Sequence, residues 1–331
     1  CMDYELHRNN QNFILLDKYL RFVARCQLEN GQFINYLDEA GNNHSQNYTT
    51  NLEDSNGRAI WALGTVISCQ QFLPASFVVK AEMLFSFALP TISGFRSPRA
   101  IAFAIKGLYF FNLTHQSSHL RSLINQLADR LVERYFDSKS NDWLWFEDYM
   151  TYSNSILPEA LLYAFLTSKK DNYKTISRRT FDFLISHIFV DNQIKVISNR
   201  GWLKKGEKSL FRGGEQPIDV SYTIQSLMLF YEVFGDHYYR ELMNTAFSWF
   251  LGNNHLQEII YNPTTGGCFD GLESFNVNLN QGAESSICYL IARLCMEKIR
   301  RGEPYIRSEK SYKEYRLHNP FQEQFAFNEN A

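Results

Sequence analysis

The chain has 331 residues, 45% hydrophobic and 21% charged, a balance that supplies a sizeable core and excludes intrinsic disorder. Lys and Arg number 33 against 35 Asp and Glu, a formal net charge of -2, so no field of one sign steers it toward nucleic acid or an anionic membrane surface. Six scattered cysteines without a CxxC spacing read as reduced structural thiols, while 27 Phe, 19 Tyr and 5 Trp leave rings over to face a ligand.

The start, Cys1-Met2-Asp3-Tyr4-Glu5, does not read as a signal peptide, and no apolar stretch approaches the ~20 residues of a membrane span. A cytoplasmic setting is expected, with a periplasmic one, or Cys1 as the lipidated cysteine of a lipoprotein, as the alternatives. From residue 12 onward one pattern recurs: an amphipathic helix, a loop with Gly and an aromatic residue, then a more apolar helix. Its first copy pairs Phe13–Leu28 with Ser55–Gln70 across the turn Gln27 to Phe33 and a polar loop. The second pairs Ser76–Leu89 with Pro98–Phe111 around Gly94-Phe95, with Pro98 in the first turn, where its missing N–H is not needed. The third joins His119–Phe136 to Asn154–Thr167 across Asp142-Trp143-Leu144-Trp145-Phe146-Glu147-Asp148. The fourth joins Asn172–Phe189 to Pro217–Phe234 across Gly201-Trp202 and Gly213-Gly214, and the fifth joins His237–Leu251 to Gly282–Ile299 through Asn262 to Asp270.

The second helix of each pair is apolar on nearly every face, as in Ala59-Ile60-Trp61-Ala62-Leu63-Gly64, and such helices are buried. The first helices carry charged stripes, such as Asp129, Arg130, Glu133 and Arg134 between Leu127, Leu131 and Val132, and face solvent. Outer and inner helices in alternation predict an all-α fold, an α/α toroid of five hairpins over residues 1–302. Ten helices fall short of the twelve in a closed six-hairpin barrel, so an open ring or an irregular sixth hairpin is expected. Residues 303–331 are expected to be an extended C-terminal tail that packs on the toroid through Tyr305, Tyr312, Tyr315, Phe321, Phe325 and Phe327.

In such a ring the loops leading into the inner helices share one mouth. Those loops carry Glu53-Asp54, Glu147-Asp148, Glu215 with Asp219, and Glu284, and only the second offers Arg96 instead. Carboxylates at helix starts also serve as caps and favour the positive end of the helix dipole, and that reading stays open for each of them. Capping does not account for their company of Trp143, Trp145, Phe146, Tyr149, Tyr152, Trp202, Phe211 and Tyr222. A pyranose offers an apolar face to rings and hydroxyls to polar groups, and glycosidic chemistry needs two carboxylates, one as acid and one as base or nucleophile. The candidate pair therefore lies among Asp54, Glu147, Asp148, Asp219 and Glu284. Arg58, Trp61, Trp145, Tyr152, Arg212, Glu215, Gln216, Tyr222 and Gln281 are the candidate sugar-binding groups. The expected partner is an oligosaccharide, with no cofactor and no metal.

Over roughly residues 12–300 the organisation resembles the six-hairpin glycosidase superfamily, which also includes epimerases and lyases. Three strings, Glu53 to Gly64 (EDSNGRAIWALG), Thr264 to Leu272 (TTGGCFDGL) and Asn280 to Ser285 (NQGAES), resemble a bacterial toroid domain to which no catalytic residues are assigned. That domain often accompanies glycosyltransferase domains. The resemblance implies a glycoside hydrolase-like enzyme or, alternatively, a non-catalytic glycan-binding or scaffold domain serving a glycosyltransferase.

Three other signals read as ordinary structure. The QxxxGxF string from Gln27 to Phe33 is similar to the turn of terpene cyclases but lacks any DxDD or DDxxD companion. His115 and His119 have the spacing of a zinc pair without the HExxH glutamate. The basic run from Lys298 to Arg316 is broken by Glu303, Glu309 and Glu314, as in a solvated face.

Overall fold

The computed structural model describes residues 1–207 and 210–306. Among them are eleven α-helices, one short 3-10 turn at Ser45–Tyr48 and three two-stranded ladders. After a short helix α1 (Met2–His7), outer helices α2 (Gln11–Cys26), α4 (Ala75–Ile92), α6 (Ser118–Ser138), α8 (Asp171–Ile188) and α10 (His237–Ser248) alternate with inner helices. These are α3 (Glu53–Ser68), α5 (Pro98–His115), α7 (Ile156–Ser168), α9 (Pro217–Phe234) and α11 (Ala283–Arg301). The chain is an α/α toroid of five hairpins.

Burial separates the two rings as the residue pattern predicts at α5, α7 and α9, whereas α11 buries only one face and leaves Ile287 and Leu290 exposed. In α6 the buried residues include Leu120, Leu123, Ile124, Leu127 and Leu131, one stripe of a 3.6-residue period. In α5 every residue from Pro98 to Thr114 is buried. That helix starts with the Ser97 hydroxyl accepting the Ala100 N–H and Pro98 in the first turn, and Gln116 ends it in a left-handed conformation. Neighbouring inner helices pack in chain order, α3 on α5, α5 on α7, α7 on α9 and α9 on α11. The closest approach is between α3 and α5. A Cβ on Gly64 would fall 2.3 Å from the Gly107 carbonyl oxygen, and one on Gly107 would fall 2.5 Å from that of Ile60.

Several boundaries differ from the sequence expectation. Helix α3 starts two residues early, so Glu53 and Asp54 sit in its first turn, where acidic residues favour the helix dipole. Helix α7 starts at Ile156 rather than Asn154, because the Asn154 side chain is occupied with the Thr151 backbone, accepting its N–H at 3.1 Å and donating to its carbonyl at 2.8 Å.

As expected, no sixth hairpin completes the ring among the described residues, and α11 does not pack closely on α3 as the other inner neighbours pack on one another; α1, which the periodicity did not mark, spans from α11 to α2 instead. On α11, Lys298 pairs with Glu5 at 3.0 Å and Arg301 donates to the Leu6 carbonyl at 3.0 Å. On α2, Asn12 donates to Asp3 at 2.7 Å and Phe13 packs on the Tyr4 ring at 4.4 Å. At the far end of the barrel the chain leaving α11 turns inward. The backbone N–H groups of Tyr305 and Ile306 donate to the Glu232 carboxylate, and the buried Tyr305 hydroxyl lies 3.2 Å from Gln225. The remainder of the expected tail, residues 307–331, lies outside the described residues.

The expectation that nothing approaches a membrane span needs qualifying by α4. Its 18 residues are long and apolar enough by composition for a short span, and here they pack against α3 and α2 with Val79, Met83 and Phe87 exposed. All six cysteines are free.

At the mouth the loops are fastened to one another. Strand β1 (Tyr149–Met150) precedes α7 and pairs with β4 (Leu203–Lys204) from the loop before α9. The ladders β2 (Phe189–Val190) with β3 (Gln193–Ile194) and β5 (Gly271–Leu272) with β6 (Val277–Asn278) stiffen the other loops. Glu215, just before α9, bridges by its backbone to Leu272 ahead of α11.

Candidate active site

The first turns of the inner helices bring charged groups together at the mouth. Arg58, one turn into α3, donates to Asp54 at 2.9 Å and, across the mouth, to the Tyr222 hydroxyl of α9 at 2.6 Å. Its guanidinium lies 4.6 Å over the Phe103 ring, which in turn stacks on Trp61. Burial works against the Arg58 charge, but Tyr222, Asp54 and Glu284 more than offset it, so the side chain is held protonated more firmly than usual. Tyr222 is nine-tenths buried, and burial holds its phenol well above the ordinary range despite the pull of Arg58.

A second cluster sits on the α5 and α7 side. Arg99, buried in the first turn of α5, donates to Glu147 at 2.8 Å and to the Tyr152 carbonyl at 2.7 Å, and lies 4.9 Å over the half-exposed Tyr152 ring. Sequence reasoning passed over this arginine. Its signal was nonetheless present: in a helix apolar on every face, Arg99 and Lys106 are the only full charges, and a buried charge needs a partner. Lys106 finds Glu159 at 2.9 Å, with both side chains almost wholly buried, and sits 4.1 Å over the Trp61 ring, beneath the mouth.

Between these clusters lies Asp219. It is 6% exposed, in the first turn of α9, and it accepts the Ser153 N–H at 2.5 Å. Ser153 holds a φ of 50°, left-handed for a non-glycine residue, a strain on the order of 1 kcal/mol that recurs at functional sites. Burial pushes the Asp219 carboxyl up to about 7; the Ser153 N–H, Arg99 and Arg58 oppose the rise and Glu284 adds to it. Glu284, in the first turn of α11, is exposed. Neither Asp219 nor Glu284 has an ion-pair partner among the described residues. Cys288, one turn beyond Glu284, is buried behind them, and burial pushes its thiol up to about 12.

The structure disperses other sequence candidates. Asp148 is 73% exposed by its side chain and turned outward, pairing with Lys205 at 3.3 Å and accepting the Ser138 hydroxyl at 3.0 Å. Glu215 is withdrawn into the core, where it accepts the Trp249 indole N–H at 3.1 Å and pairs with His255 at 3.0 Å. Trp145 is wholly buried against Phe146 and presents no face to a ligand. Gln281 is exposed and accepts the Thr265 hydroxyl at 2.5 Å, Gln216 is the half-buried residue preceding α9, and Arg212 is exposed on the loop beyond it. Capping accounts for Glu53, whose carboxylate accepts the Arg96 and Ser97 N–H groups at the start of α5. Asp270 also caps, accepting from the Gly282 N–H and the Ser285 hydroxyl. The strings TTGGCFDGL and NQGAES are thus two halves of one cap on α11.

Two surface concavities lie outside this cleft. One, of about 640 Å³, sits on the outside of α8 among Lys174, Arg178, Asp182 and Phe234. Another, of about 790 Å³, lies along the rim between Asn199 and Phe211. Among the described residues no group of three or more His, Cys, Asp or Glu is placed to hold a metal ion.

No family model and no curated protein sequence matches the chain. Solved structures do. Cellobiose 2-epimerase from Bacillus thermoamylovorans B4167 superposes with a TM-score of 0.65 at 12% identity over 91% of this chain and 84% of that one. D-mannose isomerase gives 0.62 at 14% identity over 86% and 78%. An unsaturated glucuronyl hydrolase specific for heparin gives 0.62 at 12% over 91% and 80%. At these identities the likeness establishes the fold alone, an α/α toroid.

Proposed function

We propose that the chain is a carbohydrate-active enzyme, glycoside hydrolase-like, that cleaves an oligosaccharide with Asp219 as proton donor and Glu284 as the partner carboxylate. The observation that carries this reading is the state of the mouth carboxylates. Asp54, Glu147 and Asp148 are each tied to a cation, whereas Asp219 and Glu284 are not, and Asp219 is buried. A carboxyl with a pKa of about 7 keeps its proton in about half of the molecules at neutral pH, which suits a general acid. In the reaction, Asp219 passes its proton to the glycosidic oxygen as the anomeric carbon–oxygen bond breaks. Glu284 acts as base toward water or as nucleophile, and one water is consumed per bond. Arg58, Tyr222, Trp61 and Tyr152 surround that position with donors and ring faces. The similar structures are named for enzymes acting on sugars, which agrees with this reading by analogy of fold. The free thiols are consistent with a reducing, cytoplasmic setting.

Reducing-end release from a panel of oligosaccharides tests the proposal, with Asp219→Asn and Glu284→Gln each expected to lower turnover by at least about a hundredfold. A second reading is a glycan-binding domain serving a glycosyltransferase. It is favoured by the rigid pairing of Asp54 with Arg58 and Glu147 with Arg99, which holds binding walls in place without chemistry. Under that reading oligosaccharide binds, no product forms, and both variants keep their affinity.

A further inference from the structure

The rim groove between Asn199 and Phe211 is lined by two large rings that the core does not use. Trp202 is 50% exposed and Phe211 is 48% exposed. Single exposed rings are common on protein surfaces, but these two share one concavity of about 790 Å³ with Asn199, Arg200 and Lys204, the size of a small-molecule site. Trp202 is also held in place. Tyr149 stacks on it with ring centroids 5.1 Å apart and planes 25° apart, while the pairing of Tyr149 with Lys204 in the β1–β4 ladder fixes both backbones. The indole therefore has one face covered and half of the residue open.

A chain of contacts links the groove to the cleft. Tyr149 adjoins Glu147, whose charge holds its phenol above the ordinary range; Glu147 binds Arg99, and Arg99 underlies Tyr152 beside Asp219. A line of polar groups and rings thus runs from the unpaired carboxylates to Trp202.

We infer that the Trp202–Phe211 groove is a second sugar-binding subsite, so that the ligand is a glycan chain rather than a single sugar. This deepens, and rests on, the reading of the cleft as a carbohydrate site. An indole fixed from behind with its other side open suits the apolar face of a pyranose, and the amide, guanidinium and ammonium around it suit the hydroxyls at the ring edge. Glu207 also lines the groove and Glu273 holds Arg200 at 2.8 Å, so its cations are balanced locally and make no field for polyanions.

Calorimetric titration with a cello-series and a manno-series, each as monosaccharide, disaccharide and tetrasaccharide, tests this on the full chain. The wild type is expected to gain at least about tenfold in affinity from disaccharide to tetrasaccharide in one series, the gain of one well-stacked ring. Trp202→Ala is expected to lose that gain while keeping disaccharide affinity, and Trp202→Phe to retain most of it, both with an unchanged thermal midpoint. Phe211→Ala gives an independent check on the same groove. Equal affinity of the wild type for all lengths, or a full length dependence in both alanine variants, overturns the subsite and leaves the cleft reading standing. No binding of either series at any length by the wild type overturns both.

Discussion

The buried carboxylate of Asp219 accepts the backbone N–H of Ser153 at 2.5 Å, and Ser153 adopts a left-handed backbone to present it. The bond joins the loop before α7 to the first turn of α9. It gives Asp219 one fixed donor but no cation in direct contact, which leaves its charged state poorly compensated.

A pH dependence of stability follows. The folded carboxyl titrates at about 7 while the unfolded one titrates near 3.8, so between those values the native state holds a proton that the unfolded chain has released. Stability therefore falls as pH rises from about 4 to about 7 and levels off above, by up to a few kcal/mol at about 1.4 kcal/mol per unit. Urea midpoints taken across this range should decline more steeply in the wild type than in Asp219→Asn. Parallel slopes would show that Asp219 is ionised in the folded protein.

Arg58 holds the mouth together from α3 to α9. Asp54 is part-exposed but Tyr222 is buried, so Arg58→Met, which strands the Tyr222 hydroxyl, should lower stability by about 1–3 kcal/mol while weakening oligosaccharide binding about tenfold or more. Paired titration and thermal melts separate the two effects, and a large loss of stability with intact affinity would make Arg58 a structural strut.

The Lys106–Glu159 pair lies beneath Trp61 with both side chains almost wholly out of water. Removing one charge strands the other, so Lys106→Met should cost about 3–5 kcal/mol. Lys106→Met combined with Glu159→Leu should recover most of the loss. A double-mutant cycle by urea denaturation measures the coupling, and additive losses would contradict it.

Gly64 and Gly107 let α3 and α5 approach backbone to backbone. Gly64→Ala should destabilise the fold by about 1–3 kcal/mol through overpacking, despite the higher helix propensity of alanine. Because α3 carries Arg58 and Trp61 and α5 carries Phe103 and Arg99, the same change should also weaken ligand binding. A neutral or stabilised Gly64→Ala protein would show that the two helices can separate freely.

The hairpin order was legible because it rests on local periodicity: the stripe Leu120, Leu123, Ile124, Leu127, Leu131 reads as a helix wherever it packs. The short helix α1 was not, since six residues carry too little pattern and its role depends on α11, nearly three hundred residues away. At the mouth, the sequence marks carboxylates by type but not by partner. Asp148 and Asp219 look alike in the chain, yet one meets Lys205 at the surface and the other meets a backbone N–H in the interior. Trp145 and Trp202 divide in the same way, because burial of a loop ring is decided by which helix lies beneath it. Arg99 was within reach, as a lone cation in an apolar helix.

Tyr305 has a bearing on how a glycan can enter. With its hydroxyl 3.2 Å from Gln225 and its backbone N–H held by Glu232, this buried ring fills part of the barrel's far end, opposite the mouth. On the proposed reading a glycan then approaches from the mouth, with one end in the cleft or lying across its lip.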